Sequence, residues 1–174
     1  LSNNKLTGEI PSSFQNLSSL ETLDLGNNKL SGYIPPWFGN GFPNLWLISL
    51  RSYAFSDGLP SGLSNLSSLQ VLDLAENNLT TQFPASLGDL KAMVREQKIT
   101  EYLLYGKYRG RYYEESLVVN TKGTFQKYTK TLSLVISIDL SSNNLYGEFP
   151  VEITKLTGLV VLNLSRNQIS GQIP

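Results

Sequence analysis

The chain has 174 residues, with 14 lysines and arginines balancing 14 aspartates and glutamates. It contains no cysteine and no histidine. A net charge of zero gives no whole-chain reason to expect nucleic acid as a partner. The missing residue types exclude histidine-based triads, thiol catalysis and the common zinc sites, and no apolar run approaches the roughly 20 residues that cross a bilayer.

From the start of the chain, near-identical phrases close on Pro11, Pro35, Pro60, Pro84, Pro150 and Pro174, with gaps of 24, 25, 24, 66 and 24 residues. The first phrase is cut short, running through Leu1, Asn4, Leu6, Gly8, Ile10 and Pro11. The second is the clearest, with Leu20, Leu23, Leu25, Asn28, Leu30, Gly32, Ile34 and Pro35. Its Leu-x-Leu core predicts a short strand with both leucines pointing inward. The asparagine three residues on suits backbone groups of its own turn and of the neighbouring copies, predicting a buried ladder. An isolated copy cannot bury its leucines, so stacked neighbours are obligatory.

The third phrase departs from the pattern. Leu45, Ile48 and Leu50 hold the frame, but Tyr53 takes the ladder position and Phe55 the next apolar one. One extra residue falls between Pro35 and Leu45, predicting a local irregularity filled by Trp37, Phe42 and Trp46. The fourth phrase (Leu69, Leu72, Leu74, Asn77, Leu79, Phe83, Pro84) restores the pattern. So do the last two, through Ile138, Leu140, Asn143, Leu145 and Pro150, and through Leu159, Leu162, Leu164, Asn167 and Pro174.

The long gap exceeds the period by 42 residues, placing an insertion at about Val94 to Val135. This gives repeats over 1–93, the insertion over 94–135 and repeats over 136–174. The insertion holds six of the nine tyrosines and no proline, and its eight basic against four acidic residues give +4. The rest of the chain therefore carries −4. Ile99, Tyr102 and Leu103 predict a short helix face. Leu117–Val119 and Thr124–Tyr128 predict two strands joined by the Asn120 to Gly123 turn. Between them, Tyr105, Lys107, Tyr108, Arg109, Arg111 and Tyr112, with Lys122 in the turn, are candidate partner contacts, because tyrosine and arginine supply most interface hot spots. Tyr102, Tyr113 and Tyr128 are expected to pack the insertion onto the concave face.

Asp73 and Asp139 share a strand position in adjacent copies, close enough to suggest an acid/base pair. Asp24 holds that position too, so the expectation is solvated repeat residues that frame the insertion's contacts. Thr22, Asp24, Ser49, Arg51, Ser137 and Ser141 are expected to join them. No enzyme activity and no cofactor are expected. Asn16, Asn65, Asn78 and Asn163 each begin Asn-x-Ser/Thr, the acceptor motif for glycosylation.

The phrase with Gly-x-Ile-Pro, and the variant ISIDLSSNNLYGEFP after the gap, resembles the leucine-rich repeats of plant receptor-like proteins and receptor-like kinases. The resemblance implies a leucine-rich-repeat solenoid with parallel strands on its concave face. Such ectodomains carry cysteine-paired caps, so the chain is expected to be an internal stretch of a longer horseshoe, its membrane anchor elsewhere. The insertion and its flanks, through Lys122-Gly123, Tyr128 and ISIDLSSN, are similar to the island of receptors for microbial cell-wall hydrolases such as xylanases and xyloglucanases. That resemblance implies an immune receptor on the extracellular face of the plasma membrane. It implies a microbial protein ligand, such as a secreted glycoside hydrolase, and a SERK-type receptor-kinase co-receptor. The alternatives are a small-ligand or peptide-hormone receptor kinase, and a secreted inhibitor of pectin-degrading enzymes, which lacks an island.

Overall fold

In a computed structural model, residues 1–51, 54–94 and 135–174 are described in full, and between 95 and 134 the strands alone. The predicted Leu-x-Leu strands form at Thr22–Asp24, Leu47–Ser49, Val71–Asp73, Ser137–Asp139 and Val161–Asn163. They make one parallel five-stranded sheet in chain order. Inward-facing Leu23, Ile48, Leu72 and Ile138 are buried, and each strand's register brings equivalent residues side by side. Leu50, Leu74 and Leu140 complete a continuous apolar spine. Burying each such side chain contributes about 1.5–3 kcal/mol, a gain that no copy makes without a neighbour.

The asparagine ladder is present. Asn77 donates to the carbonyls of Leu50 and Leu74 at 3.0 Å and accepts from Phe55 N at 3.1 Å. Asn143 repeats this one layer on, donating to Leu74 and Leu140 and accepting from Leu79 N at 3.1 Å. Asn28 and Asn167 do the same at the outer layers. Tyr53, at the ladder position of the third copy, lies outside the described residues.

The phrase-closing prolines from Pro11 to Pro150 introduce turns on the convex side. The carbonyls of Pro11, Pro60, Pro84 and Pro150 accept from the residue three positions on at 3.0–3.2 Å, opening five-residue 3-10 turns. In the third copy the extra residue is absorbed by an α-helical turn, Phe38–Gly41. Trp37, Phe38 and Phe42 pack there with ring centroids 5.0–5.9 Å apart. Trp46 is not in that cluster; it is buried at the lead-in to the Leu47–Ser49 strand.

A second ladder, which the Leu-x-Leu pattern does not announce, follows the asparagines. Very short parallel strands pair there, including Gly32–Tyr33 with Phe55–Asp57, and Tyr146–Glu148 with Gln168–Ser170. The glycine of Gly-x-Ile-Pro turns the chain at φ between +86° and +96° at Gly8, Gly32, Gly147 and Gly171, a region that glycine enters without steric cost.

The strand at 71–73 pairs directly with the strand at 137–139, Val71 opposite Ser137 and Asp73 opposite Asp139. The convex turns close up at the same junction. A Cβ on Gly88 would lie 2.3 Å from the Glu152 carbonyl oxygen. Gly158 N donates to the Met93 carbonyl at 2.9 Å. Between these copies, strands Gly106–Tyr108 and Arg111–Tyr113 pair antiparallel, as do Leu117–Thr121 and Thr124–Tyr128. The latter pair reaches Thr121 opposite Thr124, so Asn120 and Thr121 are strand residues rather than the predicted turn. The helix expected around Ile99 to Leu103 lies outside the described residues.

Candidate functional site

Along each strand of the concave sheet the outward positions alternate with the leucines. A concave face has no layer of repeat above it, so these positions are expected to meet water. At the two outer strands they are half-buried: Thr22 and Asp24 on one side, Val161 and Asn163 on the other. At the three central strands they are buried. Leu47, Ser49, Val71, Asp73, Ser137 and Asp139 all fall in the interior, with Val71 only 1% exposed and Ser137 2%. Trp46 and Gln70, at the lead-in to their strands, are buried as well, whereas Val160 at the equivalent place is 67% exposed.

Arg51 organises this central floor. Other copies carry small residues at its position: Gly26, Ala75, Ser141 and Ser165. Its Nε donates to Asp73 Oδ2 at 3.1 Å, and Nη2 lies 3.1 Å from Asp73 Oδ1, a two-pronged contact. Nη2 also donates to Asp139 Oδ2 at 2.9 Å, and Nη1 to Glu76 Oε1 at 2.9 Å. One guanidinium therefore ties together three successive copies on both sides of the long gap. Ser49 Oγ donates to Asp73 at 3.2 Å, and Ser141 Oγ to Asp139 at 2.6 Å. Planar, fixed donors of this kind suit arginine rather than lysine.

Asp73 and Asp139 are thus not the solvated residues that the repeat pattern predicts; they are 7% and 3% exposed. The correction has a physical origin, since a buried carboxylate needs a cation and bonded lone pairs, and Arg51 with the two serines supplies both. Burial pushes the Asp73 carboxyl above its ordinary range; Arg51 pulls the other way, and Asp139 alongside adds to the rise. An acid/base pair needs access to a reacting group, whereas both carboxylates here are buried and engaged by Arg51. Among the described residues no cluster suited to a metal ion occurs.

The remaining candidates divide by position. Lys107 and Tyr108 lie in the Gly106–Tyr108 strand, and Arg111, Tyr112 and Tyr113 in the strand paired with it. Tyr128 lies in the Thr124–Tyr128 strand. Tyr102, Tyr105, Arg109 and Lys122 lie outside the described residues. Asn16 and Asn65 are exposed at the ends of convex turns, and Asn78 is exposed beside the ladder. Asn163 is half-buried in the sheet, its Oδ1 accepting from the Ser165 backbone and hydroxyl at 3.2 and 2.9 Å.

Leucine-rich-repeat family models match residues 1–54, and 68–90, 135–156 and 158–174. The chain belongs to the leucine-rich-repeat family. Receptor-like protein 53 of Arabidopsis thaliana is 33% identical over 163 residues, 92% of this chain and 17% of that protein. Two Arabidopsis receptor structures align with it. The ectodomain of the membrane receptor kinase GASSHO1/SCHENGEN3, in complex with CASPARIAN STRIP INTEGRITY FACTOR 2, gives a TM-score of 0.72 at 30% identity, covering 100% of this chain and 16% of that one. The receptor kinase HAESA, in complex with the peptide hormone IDA and the co-receptor SERK1, gives 0.69 at 30% identity, covering 100% and 22%. The chain spans about a fifth or less of the length of these relatives. As a leucine-rich-repeat segment similar to plant receptor ectodomains, it is non-catalytic. Among the described residues no helix is long and apolar enough to cross a membrane.

Proposed function

We propose that this chain is the ligand-recognition segment of a plant cell-surface immune receptor, with residues 94–135 as an island inserted between repeats. In this reading the island and adjacent repeats bind a microbial protein, a secreted glycoside hydrolase such as a xylanase or xyloglucanase. The bound surface then recruits a SERK-type receptor-kinase co-receptor by adding interface to both partners. The segment works on the extracellular face of the plasma membrane, with the anchor elsewhere in the receptor and glycans on the exposed Asn16, Asn65 and Asn78.

The observation that carries this reading is the direct pairing of the strands at 71–73 and 137–139. The repeats close on one another, so the sequence between them is released from scaffold duty. That sequence is also where the charge and tyrosine depart from the scaffold. Tyr105, Lys107, Tyr108, Arg109, Arg111, Tyr112 and Lys122 take the partner contacts. Asp73 and Asp139 act from beneath, as part of the floor. The HAESA complex, which contains SERK1, supports the choice of co-receptor class.

The test is to replace those seven island residues by serine in the intact receptor. Capture of the hydrolase and of the co-receptor should fall at least tenfold while the far-ultraviolet spectrum of the repeats is retained. Full capture by the folded variant sinks the proposal. A peptide-hormone receptor is the second reading, favoured by the peptide complex of HAESA. It calls for an open concave groove, and the outward residues of the central strands here are buried.

A further inference from the structure

We propose that Asn163 carries an N-linked glycan, and that this sugar stands on the concave strip at 161–163. Asn163-Leu164-Ser165 shares its acceptor pattern with three other sites. Asn16 and Asn65 lie in convex turns, and Asn78 in a short strand of the second ladder. Asn163 alone of the four lies in the concave sheet.

The support is a comparison with the copy before it. Asp139-Leu140-Ser141 occupies the same place, with Asp139 opposite Asn163 in the sheet. In both copies the serine backbone and hydroxyl donate to one side-chain oxygen. The distances are 3.0 and 2.6 Å at Asp139, and 3.2 and 2.9 Å at Asn163. The second atom differs. Asp139 Oδ2 is turned to Arg51, accepting from it at 2.9 Å. At Asn163 that atom is Nδ2, a donor, which a guanidinium cannot serve. Among the described residues no group accepts from Nδ2, and Gln70 Oε1 is the only buried side-chain atom left without a partner. Asn163 Nδ2 therefore reaches solvent. The serine holds the amide by its oxygen and leaves outward the nitrogen to which a glycan attaches.

Transfer joins Nδ2 to the anomeric carbon of a lipid-diphosphate-linked oligosaccharide. The bond from that carbon to the diphosphate oxygen breaks, the lipid diphosphate leaves with the electron pair, and Nδ2 gives up one proton. Asn163 Oδ1 is untouched, so the bonds from Ser165 survive the modification. Ser165 and Arg166 beside it are exposed and Val161 on the same face is half-buried, which leaves room for the sugar. The inference rests on the proposed function in one respect, that the chain is secreted, and it deepens that reading. A glycan at 161–163 closes this strip to a protein partner and leaves the half-open strip at 22–24 available.

The test is mass spectrometry of the intact receptor secreted from plant cells. Trypsin releases residues 156–166, in which Asn163 is the one asparagine. Peptide N-glycosidase in heavy-oxygen water marks an occupied asparagine as labelled aspartate. Most copies of the peptide should be marked. Ser165→Ala should abolish the mark and Ser165→Thr, which keeps the pattern, should retain it, separating loss of the acceptor from loss of secretion. A bare peptide beside occupied Asn16, Asn65 and Asn78 overturns this proposal and leaves the secreted receptor standing. Four bare sites remove the proposal and the extracellular reading together. The placement has its own readout. A lysine introduced by Val161→Lys should be acylated at least threefold more slowly in the glycosylated receptor than in its Asn163→Asp partner variant, and equal rates overturn the sugar's position on the strip.

Discussion

The central and outer strands of one sheet have the same phrase, the same register and the same inward leucines, yet their outward faces meet different surroundings. Thr22 and Asp24 sit half-open, and Asp24 satisfies itself locally by accepting from Gly26 N at 3.0 Å. Asp73 and Asp139, at the same position, are buried and depend on an arginine from a third copy. Periodicity therefore decides the frame of each layer, and the partners within reach decide the chemistry of its outward residues. A solenoid can change function locally without changing its repeat.

This contrast predicts unequal penalties. Arg51→Leu should produce the largest effect, because it strands two buried carboxylates. Removing one partner of a buried ion pair costs about 3–5 kcal/mol. Arg166→Leu, on the exposed turn of the last copy, should stay within about 0.5 kcal/mol. Urea titration of the two variants checks the difference. Equal midpoints would remove Arg51 from its organising role.

A smaller change of opposite sign is expected at Gln70. Among the described residues its buried side-chain oxygen has no hydrogen-bond partner, and relieving such an orphan restores about 1–2 kcal/mol. Gln70→Met should raise the urea midpoint. A lowered midpoint would mean that the amide is satisfied after all.

The smallest effect concerns pH. Asp73 has its carboxyl raised from 3.8 in the folded state, chiefly by burial. The folded protein then holds that proton more tightly than the unfolded chain. Stability from this group is complete below the ordinary carboxylate range and declines as pH rises through the raised value. Asp73→Asn should flatten that decline in thermal melts recorded across mildly acidic to neutral pH. A slope unaltered by the substitution would contradict the assignment.

Much of the architecture was legible in the residues. Leu-x-Leu, the following asparagine and the proline spacing dictated strands, ladder and convex turns, because each rests on a contact between identical copies. The extra residue after Pro35 was legible as an irregularity, but its form, an α-turn seating Phe38 with Trp37 and Phe42, was not. The second ladder escaped because strands such as Gly32–Tyr33 are too short to show alternation. The buried floor escaped for another reason. Outward repeat positions are solvated by default, and Asp73 and Asp139 look like ordinary members of Leu-Asp-Leu and Ile-Asp-Leu. The signal was present at Arg51, a long cation where every other full copy has glycine, alanine or serine. Read with an aspartate at the same strand position of the next two copies, it marks a buried ion cluster rather than a solvent-facing pair.

The central claim is that the regular copies hold and the segment between them recognises. Its most direct test is capture of the co-receptor in the presence of a microbial xylanase or xyloglucanase, comparing the intact receptor with one in which 94–135 is replaced by a short linker. Loss of hydrolase-dependent capture, at least tenfold, with the repeats still folded is the predicted result. Capture at the level of the intact receptor would contradict the account.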